Sequence, residues 1–236
     1  PATTRSPRAR DATVTRSSSP RDAGRGLVTG YEAEPAAAAG MFGDRIDVAR
    51  SYTASLAEHG ETLGLIGPRE LDQLWSRHIL NSAVMAPLLH RDALVADVGS
   101  GAGLPGLVLA IARPDVSMAL IEPMERRCDW LRSEVDRMGL TNVEVVRARA
   151  EEVHGTRAFH QVTARAVSAL RTLVPWTAPL VADGGELVLL KGARVHDEIV
   201  AAEKALRTHK VSVPEVLELD AGDGDVTRVL RAVVRG

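Results

Sequence analysis

A glycine-rich stretch from Asp97 to Gly106, together with a later acid, Glu122, is the part of this sequence best suited to bind a charged ligand. Glycines alternate with other residues at Gly99, Gly101 and Gly103. Residues without a Cβ let the backbone approach a ligand closely, and amides at a helix start favour a carboxylate. The carboxylate of Asp97 favours an ammonium or sulfonium group, and Glu122 can accept hydrogen bonds from sugar hydroxyls. The pattern indicates a nucleoside-like ligand that carries both an acidic and a cationic group.

The same stretch allows a second interpretation. Gly101 to Gly106 also satisfies G-x-G-x-x-G, the pattern of dinucleotide-binding loops. Asp97 counts against it, because a carboxylate beside the loop would repel a pyrophosphate. The glycines begin at Gly99, which gives D-x-G-x-G-x-G directly after a strand, and nothing downstream resembles a hydride-transfer site. We therefore favour a methyl-donor nucleoside over a nicotinamide dinucleotide.

Alternating strands and helices must position these residues. Short apolar runs and amphipathic segments recur with short connections, which predicts a mostly parallel sheet with helices on both faces. In such a sheet, ligands bind at the carboxyl ends of the strands. The predicted strands are 93–98, 116–121, 143–146, 161–164 and 186–190, with an antiparallel pair at 211–217 and 226–234, and the predicted helices are 104–112, 124–138, 168–181 and 194–207.

Three regions are expected along the chain. Residues 1–40 are rich in Ser, Thr, Pro and Arg and are predicted to be disordered. Residues 41–90 are predicted to form a small helical cap, with one helix at 44–59 and a second from Pro68 to about Leu89 that bends near 76–78. Residues 91–236 are predicted to form the α/β domain.

Composition excludes several classes of protein. The single cysteine, Cys128, rules out an internal disulfide and multi-cysteine metal sites, and we expect no bound metal. No apolar run approaches the roughly 20 residues that cross a bilayer, and no secretory signal is visible, so we expect a cytoplasmic protein without membrane contact. The net charge of −2 means that any nucleic acid must be bound by a local basic patch.

Several ordered motifs resemble one family, the bacterial 16S rRNA guanine-N7 methyltransferases, also called glucose-inhibited division protein B. The most specific is the Leu-Pro-Gly ending of the glycine stretch. One departure is that Leu63 to Pro68 replaces the family's N-L-T motif. The segments that carry the resemblance are Arg77–Ser82, Asp97–Gly106, Arg113–Pro114, Arg149–Glu152, Arg165–Ala166 and Leu190–Gly192.

The resemblance implies a Rossmann-like class I methyltransferase with a seven-stranded sheet, S-adenosylmethionine as cofactor and 16S rRNA or the small ribosomal subunit as partner. We expect a monomer. By the same resemblance, Gly99 and Leu104 line the cofactor loop, Ala150 and Glu151 flank the adenine, and Arg165 closes the site. Two alternatives stay open: a methyltransferase of the same fold with another RNA, small molecule or protein as substrate, and a nucleotide-responsive binding module without catalysis.

Guanine N7 has a free lone pair and no proton to lose, so its methylation is mainly an orientation problem and requires no general base. The sequence has no N-P-P-Y or D-P-P-Y segment, the usual holder of an amine substrate, and Cys128 lies inside a predicted helix. We expect Arg165 to orient the nucleotide through a phosphate or base-edge fork, with a structural ion pair as the alternative. Candidate RNA contacts are Arg77, His78 and Lys191, although His78 also fits a structural histidine and Lys191 a solvated lysine.

Overall fold

The computed structural model describes residues 30–67, 69–222, 224 and 226–236. Its centre is a seven-stranded sheet in the order β3-β2-β1-β4-β5-β7-β6, in which β1 to β5 run parallel and β7 lies antiparallel between β5 and β6. The predicted mostly parallel seven-stranded sheet is confirmed. The strands are β1 (Leu94–Val98), β2 (Ser117–Ile121), β3 (Val143–Val146), β4 (Phe159–Arg165), β5 (Val181–Lys191), β6 (Glu215–Asp220) and β7 (Val226–Val233).

Eight α-helices surround the sheet in the described residues. The long ones carry one apolar face, as amphipathic helices on a sheet must; α5, for example, buries Trp130 and Leu131. The helices are α1 (Ala37–Phe42), α2 (Ile46–His59), α3 (Asn81–Ala83), α4 (Gly106–Ala112), α5 (Glu125–Met138), α6 (Ala150–Val153), α7 (Leu170–Thr177) and α8 (Val195–Thr208).

The register brings the carboxyl ends of the central strands to one edge. Val98 pairs with Ile121 across β1 and β2, and Asp97 pairs with Thr163 across β1 and β4. Arg165, the last residue of β4, pairs with Leu190 of β5. The segments that follow β1, β2, β3 and β4 therefore share one side of the sheet, where parallel sheets bind their ligands.

Two apolar cores cover the two faces of the sheet. One core joins the cap to α4 and α5, and includes the fully buried Tyr52 and Leu56 of α2 together with Leu109. The other lies under α6, α7 and α8 and includes Phe159. The cap therefore shares its core with the sheet and does not form an independent layer.

The start of the chain differs in part from the prediction. Helix α1 begins at Ala37, inside the segment 1–40 expected to be disordered, because Ala38 and Phe42 are buried in the first core. An ion pair from Arg50 to Glu34, 2.6 Å between Nε and Oε2, also lies against this segment. The prediction for residues 1–29 falls outside the described residues.

The second cap helix is the largest error of the prediction. In place of one helix to Leu89, the chain forms a 3₁₀ turn (Leu71–Gln73), a π-helix (Leu74–Leu80), α3 and a second 3₁₀ turn (Ala86–Leu88). Pro87 lacks the amide that an α-helix would need at this point. Pro68, the predicted first residue, falls outside the described residues. π-Helical turns are frequently found at functional sites.

Three boundaries further along the chain also differ. Helix α7 ends at Thr177, because a 3₁₀ turn that contains Pro179 begins at Ala178 and Val181 already belongs to β5. The turn predicted at 183–185 lies within β5, where the register against β4 shifts after Phe159. The sixth strand begins at Glu215 rather than 211, since Val211 forms only an isolated bridge with Val234.

Candidate functional site

The loop between β1 and α4 has a shape that only glycine permits at two positions. Gly99 has a φ of +71°, and a Cβ there would lie 2.9 Å from Cγ2 of Val167. Gly103 has a φ of +105°, and its Cβ would lie 2.4 Å from Cδ1 of Leu107. L-residues rarely adopt such backbone angles. The glycine pattern is therefore a requirement of the loop conformation as well as a route of approach to a ligand.

Asp97 lies behind this loop and supports it. The side chain is fully buried, and its Oδ2 accepts the amide of Gly106 at 3.1 Å. Its Oδ1 has no hydrogen-bond partner among the described residues. Burial raises the pKa of this carboxyl to about 7. Asp97 does not line the cavities described below, so the structure places it one step away from the cofactor contact predicted for it.

The carbonyl of Ala102, at the tip of the loop, accepts two hydrogen bonds. The hydroxyl of Tyr52 in α2 and the indole Nε1 of Trp130 in α5 each donate to it at 2.9 Å. All three residues are buried. The cap and α5 therefore hold the loop from two sides, a role for Tyr52 that the sequence pattern did not indicate.

Glu122 follows β2 and is buried directly beside the loop. Its Oε2 accepts the amide of Gly101 and its Oε1 accepts the amide of Met124, both at 3.0 Å. Nη1 of Arg127 lies 3.9 Å from Oε2. A carboxylate offers about four acceptor positions, so Glu122 keeps acceptor capacity toward the cavity that it lines. Arg127 therefore lies beside Glu122 and lines the same cavity.

A first cavity of about 400 Å³ lies over the ends of β2 and β3, and we call it the β2–β3 cavity. Its volume falls in the range of small-molecule sites. It brings together five residues predicted for cofactor binding: Gly99, Glu122, Ala150, Glu151 and Arg165. The lining residues that were not predicted include Met124, Arg127 and Trp176.

Two more cavities adjoin the first. The basic cavity, of about 590 Å³, lies beyond β4 and β5 and is lined by Arg77, Arg165, Lys191, Arg194 and Arg228, against one acid, Glu198. The cap cavity, of about 260 Å³, lies between the glycine loop and the cap. Its lining residues include the predicted Gly101 and Leu104, whereas Gly103 lines none of the three cavities.

All three cavities meet at Arg165 and Ala166. Ala166 has a φ of +54°, which is uncommon for a residue with a side chain and is concentrated at functional sites. This junction is where a ligand in the first cavity would face a ligand in either of the others.

A family model described as GidB, rRNA small subunit methyltransferase G, matches residues 45–227. The chain belongs to this family. It is 62% identical over 210 residues to the Ribosomal RNA small subunit methyltransferase G of Leifsonia xyli subsp. xyli, which covers 89% of this chain and 100% of that protein. The protein of the same name from Clavibacter michiganensis subsp. michiganensis is 59% identical over 204 residues, which covers 86% and 96%.

Solved structures agree on the fold. TYW2 of M. jannaschii in complex with AdoMet gives a TM-score of 0.52 at 17% identity, covering 69% of this chain and 78% of that one. An O-methyltransferase of Thermotoga maritima gives 0.51 at 16% identity, covering 66% and 65%. The predicted Rossmann-like methyltransferase fold and the predicted membership of the methyltransferase G family are confirmed.

Arg165 is held differently from the expectation for this family. Its Nη1 donates to the carbonyl of His78 at 3.0 Å and to Oγ of Ser82 at 3.2 Å, and its Nη2 donates to the carbonyl of Arg77 at 3.1 Å and to Nδ1 of His78 at 2.5 Å. Burial lowers its pKa to about 10. The guanidinium therefore binds the end of the π-helix and the start of α3 and not a carboxylate, while the phosphate or base-edge fork to RNA stays a prediction.

Two of the residues predicted to contact RNA, His78 and Lys191, form contacts within the protein. His78 is only 5% exposed, which leaves no face for stacking on a base, and burial together with the charge of Arg165 lowers its pKa to about 4. Nζ of Lys191 lies 2.6 Å from Oε2 of Glu198 and donates to the carbonyl of Ser168 at 3.1 Å. The direct phosphate contact predicted for Lys191 does not match this geometry.

The structure also shows where Arg77 and Cys128 lie. Arg77 is exposed and lines both the basic cavity and the cap cavity. Cys128 is buried and its Sγ donates to the carbonyl of Glu122 at 3.0 Å, so it packs behind the site.

In the described ranges, no helix is long and apolar enough to cross a membrane, and no group of three metal-ligating side chains is present.

Proposed function

We propose that this chain transfers the methyl group of S-adenosylmethionine to N7 of a guanine in 16S rRNA of the small ribosomal subunit. The observation that carries this proposal is the junction at Arg165 and Ala166, where a cavity fitted to a nucleoside meets a cavity lined by basic residues. Membership of the methyltransferase G family supports the choice of RNA as the substrate.

The residues of the β2–β3 cavity fit the cofactor. The carboxylate of Glu122 keeps acceptor positions for the ribose hydroxyls, beyond the two amides that it already binds. Met124 and Ala150 lie on the cavity wall where an adenine would be enclosed, and Gly99 has no Cβ to obstruct the backbone approach. When bound, the cofactor supplies a methyl group on a positively charged sulfur.

The task left to the protein is orientation. N7 carries an in-plane lone pair, so the reaction needs the base held about 3 Å from the methyl carbon and opposite the sulfur. Neither Tyr52 nor His78 is free to act as a general base: the Tyr52 hydroxyl donates to the carbonyl of Ala102, and His78 is buried against Arg165. This arrangement supports a target atom that has no proton to lose.

The basic cavity supports binding of an RNA strand. Arg77 and Arg194 are exposed, and neither forms an ion pair with an acid among the described residues. Arg228 is paired with Glu218 at 2.9 Å and Lys191 with Glu198, so these two hold the wall of the cavity. Phosphate neutralisation by arginines would make binding weaken steeply as salt rises.

The experiment is methylation of small ribosomal subunits that lack the modification, with labelled S-adenosylmethionine, followed by nuclease digestion and mass spectrometry. The expected product is 7-methylguanosine at a single position of the 16S rRNA. Label in another base, in protein or in a small molecule, with none in 16S rRNA, would overturn the proposal.

A further inference from the structure

A short segment separates the β2–β3 cavity from the basic cavity. It comprises residues 166–169, between the end of β4 and the start of α7, and we call it the β4–α7 segment. Its first two residues, Ala166 and Val167, line both cavities, and its last two line the basic cavity. Val167 also lies against the glycine loop, where a Cβ at Gly99 would be 2.9 Å from its Cγ2. A base in the basic cavity would therefore face the methyl group across this segment.

The β4–α7 segment depends on its neighbours for its position. β4 ends at Arg165 and α7 begins at Leu170, so the residues between them belong to no helix or strand. Ala166, with a φ of +54°, turns the chain sharply at the first of these residues. Contacts with side chains of neighbouring elements must therefore fix the rest of the segment.

Glu198, in the first turn of α8, supplies those contacts together with Lys191 at the end of β5. Oε2 of Glu198 accepts the amide of Leu170 at 2.8 Å and lies 2.6 Å from Nζ of Lys191. The same Nζ donates to the carbonyl of Ser168 at 3.1 Å. One carboxylate oxygen thus binds the first amide of α7 directly and the middle of the β4–α7 segment through Lys191.

The ion pair between Glu198 and Lys191 is sheltered from water. The Lys191 side chain is 7% exposed and that of Glu198 is 26% exposed. By contrast, Glu203 and Arg207 form a pair on the same helix at 78% and 74% exposure. Exposed pairs contribute little, whereas removing one partner of a sheltered pair leaves a charge without its counterpart. The loss of either charge should therefore displace the segment that the pair holds.

The charge of Glu198 is not explained by binding of RNA. It is the one acid among the described residues that line the basic cavity. A carboxylate at this place repels phosphates, so it weakens the electrostatic attraction that the surrounding arginines provide. Its contacts with Lys191 and Leu170 indicate a different role.

We propose that Glu198 is a positioning residue for methyl transfer, which fixes residues 166–169 between the methyl donor and the target base through Lys191 and the amide of Leu170. The inference rests on the proposed function, because it concerns transfer to a base held in the basic cavity. Transfer requires the base to lie in line with the sulfur, and a displacement of about 1 Å can cost about 100-fold in rate. Glu198 should therefore act on kcat rather than on affinity.

The first test is Glu198→Gln, which keeps an acceptor for the amide of Leu170 but removes the charge that binds Lys191. We expect kcat on small subunits to fall about 10- to 100-fold, while KM for the subunits does not rise. The dissociation constant for S-adenosylmethionine, measured by calorimetry, should stay within about twofold. Glu203→Gln is the matched control, because it removes an exposed acid of the same helix. An unchanged kcat in Glu198→Gln, with or without tighter binding of RNA, would overturn the inference.

The second test combines Glu198→Gln with Lys191→Met. Both changes break the same ion pair, so the double variant should be no slower than the slower single variant. The salt dependence of subunit binding should keep its wild-type slope in Lys191→Met, whereas Arg77→Ala should reduce the slope by about one. Losses that multiply in the double variant, or a slope reduced by about one in Lys191→Met, would overturn the inference and give Lys191 a direct phosphate contact.

Hydrogen exchange tests the contact without the reaction. Amides of residues 167–172 should exchange faster in Glu198→Gln than in the wild type, and at the wild-type rate in Glu203→Gln. Wild-type exchange in Glu198→Gln would overturn the inference by itself. If the wild type forms no 7-methylguanosine in rRNA, the proposed function fails, and the exchange rates still decide whether Glu198 holds the segment.

Discussion

Replacing Arg165 tests whether this side chain only orients the substrate or also holds the π-helix against β4. A residue that only orients the substrate can be removed without changing stability, whereas Arg165 donates four hydrogen bonds to the segment from Arg77 to Ser82. We therefore expect Arg165→Ala to lose both methylation and stability, because the π-helix loses its attachment to β4.

The magnitude follows from those four bonds. Each buried hydrogen bond contributes about 1 kcal/mol net to folding, and water from the three adjoining cavities can replace part of the loss. The free energy of unfolding of Arg165→Ala should therefore fall by about 2–4 kcal/mol. Arg165→Lys restores the charge but not the planar set of donors, so it should recover only a minor part of the stability.

The measurement is urea unfolding followed by circular dichroism, with hydrogen exchange of residues 71–83 as a local readout. Arg77→Ala is the control, since the Arg77 side chain is exposed and should change RNA affinity without changing stability. An Arg165→Ala protein that unfolds at the wild-type urea concentration, with wild-type exchange in 71–83 and no methylation, would refute the positioning role and restore a direct contact with substrate.

Two further predictions concern the support of the glycine loop. Tyr52→Phe removes one of the two donors to the carbonyl of Ala102 and should weaken S-adenosylmethionine binding about three- to tenfold in calorimetry. Thr53→Val, the control, removes a buried hydroxyl that donates within α2 and should leave the affinity unchanged. Equal losses of affinity in both variants would contradict the link between Tyr52 and the loop. Asp97→Asn should raise stability at pH 8. The folded pKa of Asp97 is raised to about 7 from its ordinary 3.8, so the unfolded chain ionises first and wild-type stability falls as pH rises between these values. The asparagine still accepts the Gly106 amide without this penalty, so its advantage in thermal melts should shrink toward pH 4, and a pH-independent difference would show that Asp97 does not titrate as inferred.

The cofactor side of the site was largely predictable from the sequence. The glycine pattern fits a loop whose backbone angles at Gly99 and Gly103 are rarely adopted by other residues, and the acid after β2 is placed by the strand that precedes it. Gly99, Glu122, Ala150 and Glu151 accordingly line one cavity. Local sequence patterns carry this information because Gly99 and Glu122 directly follow strands, and Ala150 and Glu151 begin helix α6.

The substrate side was not predictable in the same way. Arg165 is separated from His78 by 87 positions. Two of its four acceptors are backbone carbonyls, which no residue type reveals. The π-helix contradicts the simple 3.6-residue period that predicts an α-helix over these residues. Arg127 has the sequence environment of a solvent-facing helix position, yet it points at Glu122.

The shared carbonyl of Ala102 makes the cap a thermodynamic partner of the cofactor. Tyr52 lies in α2, and through it any motion of that helix is felt by the loop. Linkage is reciprocal, so saturation with cofactor should slow amide exchange in 46–59 even though this helix lines none of the three cavities. Changes in the first helices, remote from the chemistry, would then alter how long the enzyme retains its methyl donor.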